Sequence, residues 1–155
     1  MNRNICVLGG SGFVGYHVVS QLAKAGYKVR VLTRHRERNR KLLVLPTVEV
    51  ISADIHDTSL LPKYFADQAT VINLVGILNE PRDNGQGFHR AHVELAQKVI
   101  NACQVKGVKR LLQMSALNAD AKEGSSYYLR SKGVAEDLVH NARDMNVTSF
   151  RPSVI

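Results

Sequence analysis

The 155 residues, 45% hydrophobic and 22% charged, suit one globular domain with a single sizeable core and exclude a low-complexity chain. No apolar run reaches membrane-spanning length and no leader precedes the first predicted strand, so a cytoplasmic location is expected. The net charge of +8 is concentrated between Lys28 and Lys41, where Lys28, Arg30, Arg34, Arg36, Arg38, Arg40 and Lys41 meet one acid, Glu37. Such a stripe suits a phosphate or an acidic partner, or is a solvated face.

The apolar run Ile5-Cys6-Val7-Leu8 breaks into Gly9, Gly10, Gly12 and Gly15, and a helical pattern runs from Phe13 to about Lys24. Strand, glycine turn and helix is the order in which a chain builds a pyrophosphate cradle. Gly9 permits the turn, Gly12 leaves room for a phosphate, and Gly15 lets the helix lie close to the strand. With Ser11, Phe13 and Val14 these residues form the predicted cradle.

Gly26 closes the helix, and Lys28–Leu32 is the second strand. A short helix is predicted over about His35–Val44, stopped by Pro46. Val48–Ser52 is the third strand, running into Ala53-Asp54. A short helix over Ser59–Asp67 follows, with Thr58 or Ser59 near its N-cap. Thr70–Leu74 is the fourth strand, followed by Val75-Gly76 and a polar loop, Asn79–Gly87, that is expected to be mobile. Val93, Leu95, Ala96, Val99, Ile100 and Cys103 recur at helical spacing and predict a helix over Phe88–Lys106, closed by Gly107. Lys109–Met114 is the fifth strand, Asn118–Ser126 a polar loop, Tyr127–Met145 the last helix and Val147–Phe150 the sixth strand. Cys6 and Cys103 are too few for a disulfide framework and read as buried free thiols.

Strands alternating with helices predict an α/β fold: a Rossmann-type, doubly wound parallel sheet in the order 3-2-1-4-5-6, with helices on both faces, filling residues 1–155. Ligands then sit at the carboxyl ends of the strands, which here carry Gly9–Gly15, Thr33-Arg34, Asp54-Ile55, Val75-Gly76 and Ser115.

The second strand runs into Thr33-Arg34 with no acid where a ribose 2′-hydroxyl would seek one, which favours NADP(H) over NAD(H). Arg34 is the first choice for the 2′-phosphate, with Arg36 or Arg38 second. Asp54 is placed to accept from an adenine amino group, or is a turn aspartate. Gly76 lets backbone approach the ribose beside the nicotinamide. Tyr128 and Lys132 lie one turn apart on one helix face, where the ammonium would lower the phenol's pKa and ease proton transfer. Ser115 could help hold a substrate carbonyl. His89 and His92 are three apart without further metal ligands, so no metal is expected. Phe13, Tyr16 and Tyr127 read as packing residues, and no nucleic-acid partner is expected.

Gly9-Gly10-Ser11-Gly12-Phe13-Val14-Gly15, Asp54-Ile55, Asn73–Gly76, Ser115, Tyr128-x-x-x-Lys132 and Arg151-Pro152-Ser153 together resemble the short-chain dehydrogenase/reductase superfamily, in its extended and atypical branches. Asn73–Leu78, Ala91–Glu94, Met114-Ser115-Ala116 and Tyr128–Lys132 look more narrowly like the group containing the NADPH-binding accessory subunit of respiratory complex I and its bacterial relatives. The resemblance implies hydride transfer between nicotinamide C4 and a carbonyl or alcohol carbon of an unknown small molecule. By that likeness Tyr128 is the general acid/base, Lys132 binds the ribose, and Ser115 orients the substrate oxygen. Two departures stand out: His92 occupies the place where many relatives carry a relay asparagine, and extended members continue after Arg-Pro-Ser into a substrate-binding portion, so a chain stopping at Ile155 is expected to be a fragment or to lack most of what selects a substrate. Oxidoreductase or epimerase/dehydratase activity is therefore one expectation. A non-catalytic NADPH-binding or redox-sensing subunit, peripherally attached to a respiratory membrane complex, is the other.

Overall fold

The computed structural model describes residues 3–155. The strands are β1 (Asn4–Leu8), β2 (Lys28–Thr33), β3 (Val48–Ser52), β4 (Thr70–Asn73), β5 (Arg110–Met114) and β6 (Asn146–Phe150). They form one parallel sheet in the order β3-β2-β1-β4-β5-β6, the Rossmann-type arrangement expected. β1 lies at the centre, with Leu8 opposite Leu32 of β2 on one side and Asn73 of β4 on the other.

The pleat sorts the strand residues into two cores. Ile5, Val7, Val29, Val31, Val50 and Ile72 meet Val19 of α1 (Phe13–Lys24) and Leu42 of α2 (Arg40–Leu43). Cys6, Leu8, Leu32, Val71 and Leu111 meet α3 (Leu61–Phe65), α5 (Leu95–Lys106) and α6 (Tyr127–His140). Phe65, Leu95 and Val139 on these helices are fully buried, each stabilising the fold by about 1.5–3 kcal/mol. Cys6 and Cys103 are buried free thiols in this second core.

Four expectations change. The helix over 35–44 is split into a 3-10 turn, Arg36–Arg38, and α2, because Asn39 between them turns its side chain onto His35 O (2.7 Å). The helix over 59–67 shortens to α3, and the turn before it is organised by Asp57, whose carboxylate accepts from Ser59 N–H (2.9 Å) and Oγ–H (2.6 Å). The last helix ends at His140 instead of Met145, since Asp144 takes a left-handed φ of 59° leading into β6.

The polar loop 79–87 is folded rather than loose. The Glu80 carboxylate accepts from the N–H groups of Gly85 (2.5 Å), Gly87 (2.7 Å) and Phe88 (3.2 Å), so it caps the following helix. That helix starts at Gln86 as α4 (Gln86–Phe88), widens into a π-helical turn at His89–Glu94, and continues as α5. No helix among the described residues is long and apolar enough to cross a membrane.

Candidate functional site

The carboxyl ends of the strands open on two neighbouring cavities that share Leu74, Gly76 and Ile77. The first, about 560 Å³, is lined by Gly9, Ser11, Gly12, Arg34, Arg38, Asp54, Ile55 and Val75 among others. The second, about 440 Å³, is lined by Val14, Ser115, Tyr128 and Lys132. Five separate stretches of chain thus converge on one crevice, with the backbone around Gly76 at its waist.

The glycine turn shapes the first cavity. Gly9 has φ +75° and packs against Leu74 backbone, where a Cβ would lie 2.9 Å from the carbonyl carbon. A Cβ on Gly15 would fall 2.2 Å from Gly9 O, so the residue that lets α1 approach does so against the turn itself. Beside Gly12 a Cβ would touch only Gly9 O, at 3.4 Å, which leaves open space. Among the described residues no side chain caps α1 and its first turn holds no acid, so its N-terminal N–H groups remain available to an anion. The cradle therefore fits a pyrophosphate. Phe13 departs from the packing role expected of it, being 74% exposed with only an edge contact to His17.

The arginines separate cleanly. Arg34 and Arg38 both line the first cavity, and neither has an ion-pair partner among the described residues. Arg36 points away: its Nε donates to Val50 O at 2.8 Å. Asp54 uses one carboxylate oxygen on the His56 N–H (2.9 Å), a turn contact that leaves its other oxygen for a ligand. A recess beside it is lined by Arg34, Asp54, His56 and Arg90. His56 and Arg90 were not singled out from sequence; the only signals were nearness to Asp54 and a place one turn from the helix start. Burial first, then Lys98 and Arg90, hold the His56 ring below its usual pKa.

In the second cavity Lys132 is 3% exposed, its Nζ donating to Met114 O (3.2 Å) and lying 5.9 Å from the Tyr128 ring centroid. Burial lowers the Lys132 pKa to about 8. Tyr128 goes the other way from the sequence expectation: burial raises its phenol. Ser115 is 3% exposed, and its hydroxyl donates to Glu136 Oε2 (2.5 Å). Glu136, two turns beyond Tyr128, also accepts from Arg151 (Nε 3.0 Å, the terminal nitrogen 2.9 Å). Burial pushes the Glu136 carboxyl up, but the Arg151 and Ser115 hydrogen bonds outweigh it and the net direction is down. Ser115 is therefore tied into a pair joining α6 to Arg151, just past β6, a partnership sequence spacing did not disclose.

His89 lies 3.6 Å from Glu94 and is exposed, while His92 is buried against Ser131, so the two rings point to different surroundings. Among the described residues no three His, Cys, Asp or Glu side chains are grouped as a metal ion would need. A further cavity of about 340 Å³ lies at the amino ends of the strands, beside Lys28, Thr47 and Glu49, away from this convergence.

Comparison with known proteins agrees with this geometry. A family model described as NAD(P)H-binding matches residues 9–155. The chain is 34% identical, over 96% of its length and 37% of the relative, to the mitochondrial NADH dehydrogenase [ubiquinone] 1 alpha subcomplex subunit 9 of Arabidopsis thaliana. It is 29% identical to a ceramide reductase of Caulobacter vibrioides, over 97% of its length and 46% of the relative. The chain thus spans less than half the length of these curated relatives. Among solved structures, the Bordetella bronchiseptica enzyme WbmH in complex with NAD+ superposes with a TM-score of 0.82 at 18% identity, covering 97% of this chain and 56% of that one. The UDP-Glc/GlcNAc 4-epimerase of Campylobacter jejuni gives 0.83 at 16%, covering 96% and 52%. With a glycine cradle, a divided crevice and a family match over nearly its whole length, this chain belongs to the NAD(P)H-binding family.

Proposed function

We propose that this chain is the cofactor-binding part of an NADP(H)-dependent oxidoreductase that reduces a small carbonyl compound. The observation that carries the reading is the pair of cavities sharing Gly76 and Ile77: a cationic one with the glycine cradle, and one containing Tyr128 and Lys132. The N-terminus of α1 would hold the pyrophosphate, with Gly9, Ser11, Gly12, Phe13, Val14 and Gly15 forming or shaping the cradle. Arg34 and Arg38 would pair with the 2′-phosphate, Asp54 and Ile55 would meet the adenine, and Val75-Gly76 would pass beside the second ribose. When bound, the nicotinamide would supply or accept a hydride.

Proton chemistry then falls to the second cavity. A phenol raised by burial keeps its proton at neutral pH, so Tyr128 is set to give that proton to a carbonyl oxygen. Taking a proton from an alcohol would need the phenolate, which burial disfavours. Lys132, with a pKa of about 8, is mostly an ammonium at pH 7 and would bind ribose hydroxyls. Ser115 would meet the substrate oxygen only by sharing or leaving Glu136. NADPH-dependent loss of a carbonyl substrate by the full-length protein tests the reading; absence of turnover with NADPH bound would reject it.

A second reading has its own support. The 34% identical relative is named as a subunit of NADH dehydrogenase. With Ser115 engaged by Glu136 and Tyr128 raised, the pocket also suits an NADPH-holding subunit that does no chemistry, peripherally attached to a respiratory complex. Retention of NADPH without turnover, with co-purification of complex subunits, would favour it.

A further inference from the structure

The buried His92 sits where three elements meet, and its hydrogen bonds admit one assignment of protons. Ile77 N–H donates to His92 Nε2 at 3.3 Å, so that nitrogen is an acceptor and carries no hydrogen. The Ser131 hydroxyl donates to Tyr128 O at 2.8 Å, so it can only accept from His92 Nδ1, 2.8 Å away. The ring is therefore neutral and protonated on Nδ1, stacked on Phe88 and edge-on to Tyr128. A Cβ on Gly76 would lie 3.2 Å from Lys132 Nζ and 3.6 Å from His92 Nε2, which puts the waist of the crevice, the lysine and the ring at one point.

Resting on the dinucleotide reading above, we propose that His92 is a positioning residue that pins Ile77, at the waist of the crevice, to the helix 86–106, with Ser131 of α6 fixing the ring's tautomer, and so sets the gap in which the nicotinamide end is held. The titratable groups facing it are Lys132 and Tyr128 of α6; the loop after β4 offers it only backbone. With Nε2 accepting from Ile77 and Nδ1 donating to Ser131, neither ring nitrogen is hydrogen-bonded to the Tyr128 hydroxyl.

The two ring nitrogens can be tested separately. In His92→Gln the side-chain oxygen reaches the place of Nε2 and keeps the Ile77 bond, whereas in His92→Asn the amide nitrogen replaces only Nδ1. NADPH and adenosine 2′,5′-bisphosphate, which lacks the nicotinamide half, are titrated against the wild-type chain and both variants. The expected result is an about tenfold loss of NADPH affinity in His92→Asn, the worth of one hydrogen bond, with the bisphosphate unchanged and His92→Gln within about twofold of wild type. Equal behaviour of the two variants, or a loss shared by the bisphosphate, would overturn the clamp. Nitrogen-15 NMR of the wild-type ring should show the neutral Nδ1–H form from pH 5 to 8; a ring that titrates in that range, or carries its proton on Nε2, overturns it whether or not the variants fold. Wild-type chain that binds neither nucleotide would reject the dinucleotide reading, and the NMR result would still decide the tautomer.

Discussion

Arg34, Arg36 and Arg38 are close in sequence and differ in what they can reach. Arg36 holds Val50 O, whereas Arg34 and Arg38 line the cationic cavity. Arg34→Ala or Arg38→Ala should weaken NADPH about tenfold to a hundredfold, the range for a charged hydrogen bond, and leave NADH nearly unchanged. Arg36→Ala should leave the NADPH-to-NADH ratio as it was; calorimetric titration of all three reads the difference. Lys132 provides a pH test. Its ammonium is present below about pH 8 and lost above, so NADPH affinity should fall as pH rises through that value, and the break should vanish in Lys132→Met. If the carbonyl-reduction proposal holds, Tyr128→Phe should bind NADPH like wild type and abolish that reduction, as stopped-assay kinetics would show.

At the level of elements, the strand–turn–helix at β1 and α1 was legible because its requirements are local: an apolar run, a left-handed glycine and a helical pattern. Strand order followed from the alternation of elements, since right-handed crossovers leave few topologies for parallel strands. What sequence did not disclose depends on groups far apart in the chain. His92 meets Ser131 39 residues away, Ser115 meets Glu136 21 residues away, and each contact is chosen by packing rather than spacing. The direction of the Tyr128 pKa was missed for the same reason, because helical spacing reveals the neighbouring ammonium and not the loss of water around the phenol. Gly15→Ala tests the joint between turn and helix. The added methyl would meet Gly9 O, so stability should fall by about 1–3 kcal/mol in a denaturant titration, with cofactor binding lost alongside.

For the whole molecule, the buried thiols govern the alkaline limb of stability. Cys6 and Cys103 are each pushed by burial from 9.0 to about 12, so between those values the native state keeps protons that the unfolded state has released. Unfolding free energy therefore falls with rising pH, by about 1.4 kcal/mol per pH unit for each thiol. Lys132 works in the opposite sense from about pH 8 to 10.5, where the unfolded chain holds a proton the native lysine has lost. From these groups stability should rise slightly between pH 8 and 9 and decline beyond it. A Cys6→Ala, Cys103→Ala double variant should lose the decline between pH 9 and 10 in urea titrations, with Tyr128, also raised by burial, contributing only above pH 10; an unaltered slope from 9 to 10 would show the thiols are not its source. The same sheet that hides these thiols gathers the glycine cradle, Arg34, Arg38 and Lys132 at its carboxyl edge, so stability and binding depend on one architecture.

The most direct test is calorimetric titration of the chain with NADPH and with NADH under identical salt and pH. The proposed NADP(H) reading predicts saturable binding of both nucleotides, NADPH at least about tenfold tighter, with that preference removed by Arg34→Ala. Equal affinities, tighter NADH, or no binding of either would contradict it.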